Sequence, residues 1–425
     1  MSQTDVDQIN FMDPAVQEDW FPYYRRLREE APVWRVPSTG EYFLSRYDDV
    51  SYVLRHPELF PHTSTSSEFQ LLKSEAAMRY YEEHGWRRKQ TLGIDPPVHR
   101  EYRVLVDPWF NAAGAEQQRA VIERIATSLL DEWIDDGEVE LVRQFAMPLP
   151  VMVITTVLGF PLSDIERLKR WSEAWVMPFS RGLTPEQEMY VAEQGVEFQQ
   201  YIYTHLQEKR RNPTDDVLSH LAQATFHDLE QGVDRQLTDY EIVNLIDHLY
   251  IGGNETTTFA ITSGLWLLIS HPDVERRLRA EPELIPTFVD EVLRLESPTQ
   301  GLWRGVARDV EIGGVTIPKG ATVHIRYGAA NRDPERFGQP DDLDVERRNA
   351  GRHLAFGAGE HRCPGEGLSK LEQRIAAELF LQRMGNLRFT PDRNDFCHLP
   401  GYWLRALKEL HVSFDPIKVR NIDGH

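Results

Sequence analysis

Cysteine is scarce in this 425-residue chain: Cys363 and Cys397 are the only two. Two thiols cannot build a zinc framework or a disulfide scaffold, so a reducing compartment is the default. Basic residues are in deficit, 47 Lys and Arg against 67 Asp and Glu, for a formal charge of -20. General nucleic-acid binding is thereby excluded, because it needs an excess of cations to neutralise phosphates. Long apolar runs are missing as well. The best, Phe259 to Ile269, is interrupted by Thr262 and Ser263, well short of the roughly 18 apolar residues that span a membrane. Between Met1 and Pro14 no basic segment leads into an apolar one, so no secretion signal is visible and a soluble, cytoplasmic protein is expected. Repeats, low-complexity tracts and Gly/Ser linkers are absent too. Residues 1–425 are therefore expected to form one domain, although length alone does not decide this.

What the chain does have is a loop, Phe356-Gly357-Ala358-Gly359-Glu360-His361-Arg362-Cys363-Pro364-Gly365. Leu368, Leu371, Ile375 and Leu379 follow at three- and four-residue steps, the pattern of a helix. Cys363 thus closes a glycine-rich turn just before a helix start, where N–H groups and the helix dipole are expected to favour a thiolate. The glycines let the backbone turn tightly and approach something flat and bulky. A dinucleotide loop would need a third glycine after Gly357 and Gly359 and a βαβ surround, and both are missing. A buried structural cysteine is the bland alternative. The order Phe-Gly-x-Gly-x-His-x-Cys-x-Gly resembles the haem-binding loop of the cytochrome P-450 family. That resemblance implies a mainly α fold with a small β-rich side, and haem b held between a long central helix and the cysteine loop. Cys363 would be the axial ligand of the iron, with Phe356 against the cofactor and His361 on a haem propionate.

Other segments extend the resemblance from about residue 40 to 415. Asp95-Pro96-Pro97-Val98-His99-Arg100-Glu101-Tyr102-Arg103 puts His99 and Arg103 four apart on one helix face, two donors that suit a buried carboxylate. It resembles the family segment whose His and Arg bind a propionate. Thr238-Asp239-Tyr240-Glu241 is a capping box, and an apolar helical pattern runs from Ile242 to Ile269. Its middle, Gly252-Gly253-Asn254-Glu255-Thr256-Thr257-Thr258, carries two glycines at about 1 kcal/mol each against alanine. Close packing against another helix would also use small residues there. The run resembles the family's oxygen-activation segment, where Thr256 would free its hydroxyl to hold water and Glu255 would relay protons. Gly252 would leave a gap for O2. One turn earlier, His248 and Ile251 are expected to face the substrate; a helix histidine bonded to a neighbour is the plainer reading of His248.

Glu291-Val292-Leu293-Arg294 is ordinarily surface decoration. In this position it resembles the family's buried Glu-x-x-Arg, completed by Arg347. Arg304 matches a second propionate arginine. Thr299, Leu302, Trp303, Trp403 and Leu404 are expected as pocket wall, implying a small to medium, largely apolar substrate. The activity implied is insertion of one oxygen atom from O2, fed by a ferredoxin-type iron–sulfur donor and its reductase, in a monomer. Arg100, Arg362 and Lys370 are expected as an exposed basic patch for that donor. A peroxide-using member would normally lack the Glu255-Thr256 pair. A nitric oxide reductase would draw on a nicotinamide cofactor directly, and a haem gas sensor would need no proton relay.

Elsewhere the expected elements are a helix over Glu18–Glu30, a hairpin of Val33–Val36 with Tyr42–Ser45, and a helix over Asp48–Arg55. Phe60 to Gly93 lacks a period and is expected as a lid with a helical piece near Phe69–Glu82. Val310 to Ile325 is expected as short strands separated at Gly313-Gly314 and Gly320.

Overall fold

A computed structural model describes residues 6–62, 72–86, 91–180, 183–399, 401 and 403–418. Helix α1 (Phe21–Glu30) carries Pro22 in its first turn and buries Tyr24, Leu27 and Arg28 on one face. Strands β1 (Val33–Arg35) and β2 (Tyr42–Leu44) form the expected hairpin, with Trp34 opposite Phe43. Helix α2 (Tyr47–Arg55) follows as read from the sequence. The helical piece of the lid stretch is α3 (Glu75–His84), which begins later than the Phe69–Glu82 reading. Phe69 to Leu71 lie outside the described residues.

Next come α4 (Val98–Phe110), α5 (Ile165–Val176) and the 27-residue α6 (Pro185–Arg211), which opens on a Thr184–Gln187 capping box. Helix α6 grips α3 at both ends. Glu188 accepts hydrogen bonds from the Lys73 and Ser74 amides, each at 2.6 Å, and so caps the start of α3. At the other end the Gln199 amide pairs with both backbone groups of Trp86 at 2.8 Å, and Gln200 donates to the His84 carbonyl at 3.1 Å. A Cβ on Gly85 would stand 2.6 Å from Gln199 Oε1, so this approach needs glycine. Leu72, Ala77 and Tyr81 pack with Val191, Ala192 and Val196 between the two helices.

The expected helix Ile242–Ile269 is two helices. α7 (Asp239–Gly252) starts on the Thr238–Glu241 capping box, stops at Gly253-Asn254, and α8 (Glu255–Ser270) resumes. The glycines weaken the helix here, and Asn254 leaves helical geometry (φ -100, ψ -79) to donate its side-chain amide to Ser172 of α5 at 2.9 Å. That bond offsets part of what the interruption costs.

Helix α9 (Ile285–Glu296) precedes β3 (Gly301–Gly305) and β4 (Thr322–Arg326), which join the hairpin in a four-stranded sheet of order β1-β2-β4-β3. β4 lies parallel to β2 and antiparallel to β3. The short strands expected within Val310–Ile325 are present at Val310–Ile312 and Val315–Ile317. Residues 331–349 form no helix or strand and are pinned by α9 instead. Arg294, fully buried, makes a two-pronged pair with buried Glu291 at 2.6 and 2.9 Å. It also donates to the carbonyls of Asn331, Pro340 and Asp342. Arg347 lies 3.1 Å from Glu291 and donates to the carbonyls of Gly338, Gln339 and Asp342. The three residues singled out by Glu-x-x-Arg reasoning thus meet, and they lead the chain into the cysteine loop. That loop feeds α10 (Glu366–Arg383), which packs on α8 and α9 and buries Leu368, Leu371 and Ile375.

Candidate active site

Between α7–α8 and the cysteine loop lies a cavity which, with its mouth, holds about 1390 Å³ free of protein atoms. Cys363 forms one wall. Its amide donates to the Phe356 carbonyl at 2.9 Å, closing the loop, and Gly357 and Gly359 take positive φ of 69° and 70°. A Cβ on Gly359 would come within 2.5 Å of the Leu54 carbonyl, so only glycine lets the loop lie against α2. The helix start does not by itself produce a thiolate. Burial pushes the Cys363 thiol up to about 11, and a hydrogen bond from the Gly365 backbone and the charges of Arg103 and Arg362 pull it back by less.

One edge of the cavity collects nitrogen-bearing side chains. Arg304 on β3 is buried, donates to the Trp303 carbonyl at 2.7 Å, and has no carboxylate partner among the described residues. His99 on α4 and His361 of the loop lie against each other, 4.2 Å between ring centroids with the planes tilted by 41°. His99 Nδ1 and His361 Nε2 are both buried without a hydrogen-bond partner. Burial lowers these imidazoles to about 4 and about 3. Unsatisfied buried polar atoms are rare and call for a partner; two imidazole nitrogens and a buried guanidinium without a carboxylate, opposite a thiol, fit a flat cofactor with carboxylates on its rim. Arg103 also lines the cavity, but its Nε bonds Asp107 at 2.6 Å and its Nη1 bonds the Glu360 and Arg362 carbonyls. It braces the loop as much as it faces the cavity.

The α7–α8 wall presents Gly252 and Thr256. A Cβ on Gly252 would meet nothing within 4 Å, so a gap stands there. Thr256 is not freed from the helix. Its hydroxyl donates to the Gly252 carbonyl at 3.2 Å, which keeps its oxygen at the gap as an acceptor. Glu255 points away from the cavity toward Lys169 and Glu173 of α5. Burial and the Glu173 carboxylate raise it to about 7.

The family model for Cytochrome P450 matches residues 168–394. Cytochrome P450 107B1 of Saccharopolyspora erythraea is 34% identical over 97% of this chain and 99% of its own length. This chain belongs to the cytochrome P450 family. A second relative, 6-deoxyerythronolide B hydroxylase of the same organism, is 34% identical over 93% of this chain and 96% of its own. Among solved structures, P450BioI bound to an acyl carrier protein carrying hexadec-9Z-enoic acid superposes with a TM-score of 0.82 at 30% identity, covering 95% of this chain and 99% of that one. The mainly helical fold with small sheets is the P450 fold, and the chain is a haem-dependent monooxygenase of that family.

The substrate side of this P450 is built differently from the sequence expectation. Thr299, Leu302 and His248 line the cavity; Ile251, Trp303, Trp403 and Leu404 do not. Ile251 is turned into the main helical core, because the cavity stripe of α7–α8 runs through 249, 252, 253 and 256, leaving 251 on the flank. Trp303 falls on the opposite face of β3 from Leu302 and Arg304, as strand alternation requires, and joins an N-terminal aromatic cluster with Trp20, Trp34 and Phe43. Trp403 packs on that same cluster. Leu404 is bridged through its backbone to Thr299, and only Thr299 reaches the cavity. Wall residues that the sequence reading missed are His62, Leu92, Leu293, Tyr327, Ser369 and Glu372. Ser369 and Glu372 stood three apart on the buried face of α10, a polar pair where apolar residues belong. Thr257 donates to Ser369 at 3.0 Å, and burial alone drives the Glu372 carboxyl well above its ordinary range.

On the far side of Cys363 the expected exposed basic patch is internally paired. Arg100 holds Glu360, Arg362 holds Glu366 at 2.6 and 2.9 Å, and half-buried Lys370 bridges Glu366 and Asp290. Cys397 is exposed and lies away from the cavity. No described helix is long and apolar enough to cross a membrane.

Proposed function

We propose that this cytochrome P450 holds haem b through Cys363 and inserts one oxygen atom from O2 into a small to medium, largely apolar organic molecule. The observation that carries the reading is the opposition of Cys363 to the Gly252–Thr256 gap, across a cavity edged by the buried guanidinium of Arg304 and by His361, which lies against His99. Bound haem supplies the iron at which O2 is reduced and from which oxygen passes to substrate. Cys363 would hold that iron through Sγ, which would donate electron density to it. Arg304, His99 and His361 would donate to the propionates, with Arg103 as a lesser partner, and Phe356 would pack beside the ring.

Thr256 holds water at the gap through its oxygen lone pairs, and Glu255, half-ionised near neutral pH, draws protons from the surface beside Lys169 and Glu173. This pair favours O2 as oxidant over peroxide. Electrons come from a ferredoxin-type iron–sulfur protein and its reductase, approaching the face behind Cys363. The reading includes a cytoplasmic monomer with residues 1–425 as one domain; two free cysteines suit a reducing compartment. The test is the carbon monoxide spectrum of the reduced protein. It is expected to show the red-shifted band of a thiolate-bound haem, lost in Cys363→Ala and kept in Cys397→Ala. A band that survives Cys363→Ala refutes the assignment.

A further inference from the structure

His248 is a cavity group that proton delivery leaves unused. It stands on α7 one turn before Gly252 and two before Thr256, and its ring is part of the cavity wall. Protein surrounds the side chain, yet some of its surface remains accessible, so that surface faces the cavity. Neither ring nitrogen makes a hydrogen bond among the described residues. Asp247, its neighbour in the chain, is engaged with Trp175 at 3.1 Å, and His62 of the same cavity is coupled electrostatically to the ring. The cavity wall includes apolar Leu92, Leu249, Ala260, Leu293 and Leu302, and polar groups among them Thr299, Thr256 and His62.

A buried imidazole kept neutral offers one donor and one acceptor, the complement of a hydroxyl or carbonyl oxygen. In a mostly apolar cavity, a few placed polar groups fix how a ligand lies. We infer that His248 anchors the substrate by a hydrogen bond to an uncharged oxygen, so that the substrates are oxygen-bearing, mainly apolar molecules rather than plain hydrocarbons. The anchor decides which carbon lies at the gap over Gly252. A pocket built to bond a ligand oxygen discriminates strongly against the analogue that lacks it, because its own group is then left unpaired.

This inference rests on the haem-thiolate reading, and its test separates the two. The haem-loaded protein is titrated with 1-alkylimidazoles, whose azole nitrogen reports on the iron through the absorption spectrum wherever the tail lies. A ladder of tail lengths is used, each ended in methyl, hydroxyl or carboxylate. At one or more lengths the preference for hydroxyl over methyl is expected to be about tenfold greater in the wild type than in His248→Phe. His248→Gln, which keeps a donor and an acceptor, is expected to retain most of it. Equal preferences in wild type and His248→Phe at every length overturn the inference, as does selection of the carboxylate tail alone. A nitrogen-ligated resting spectrum that His248→Phe abolishes also overturns it, making His248 an iron ligand. If no azole shifts the wild-type spectrum, the haem reading falls instead.

Discussion

Glu255→Gln measures the proton reservoir of this site directly. Burial and the facing Glu173 carboxylate raise Glu255 from 4.5 to about 7, with Lys169 offsetting a part. The folded protein therefore keeps a proton that the unfolded chain releases above pH 4.5. Stability contributed by this group falls as pH rises from about 4.5 to about 7 and is level beyond that. At about 1.4 kcal/mol per pH unit, the loss amounts to about 3 kcal/mol, complete near pH 8. Glutamine carries no such linkage. Relative to wild type, Glu255→Gln is expected to gain about 3 kcal/mol of stability between pH 5 and pH 8, read from denaturant unfolding of the haem-loaded proteins by tryptophan fluorescence. Wild-type product formation is expected to decline above pH 7 as the carboxyl loses its proton, whereas the variant is slower and flat over the same range. A stability difference that stays constant from pH 5 to pH 8 would refute both the raised pKa and the relay built on it.

Glu291→Gln leaves Arg294 and Arg347 without a carboxylate in a region shut off from water. A loss of about 3–5 kcal/mol is expected, with lowered haem retention, and an unchanged unfolding midpoint would show the pair to be dispensable. Thr256→Ala is expected to bind substrate normally, by the haem spin shift, but to divert reductant to hydrogen peroxide. An unchanged ratio of product to reductant consumed would remove Thr256 from proton delivery.

Features encoded by local spacing were legible in the sequence. The cysteine loop, the Thr238 capping box, the Gly252–Thr256 spacing and the His99–Arg103 step each lie within one or two turns of chain. The Glu291–Arg294 pair was legible for the same reason, and Arg347 only through family resemblance. Orientation was less readable. Leu302 and Trp303 are adjacent on one strand and cannot face the same side, so parity alone would have removed Trp303 from the pocket. Ile251 depended on how α7 is rotated, which distant packing decides. The break at Asn254 needed Ser172, 82 residues away, to take its amide. The pairing of Arg100 with Glu360 spans 260 residues, and no local pattern announces it. The acidity of Cys363 was misjudged because burial is a property of the folded molecule, and it outweighs the helix start.

The grip of α6 on α3 has a consequence for timing. Both ends of the stretch carrying α3, at His62 and at Leu92–Gly93, border the cavity. Parting the two helices breaks the bonds of Glu188, Gln199 and Gln200 to the backbone at the two ends of α3 and just beyond them, five in all. At about 1 kcal/mol each, that slows separation by a factor on the order of a thousand or more. A substitution at Gln199, remote from the chemistry, is therefore expected to loosen the hold of α6 on the residues beside the cavity, and a product-release rate unchanged in Gln199→Ala would refute this.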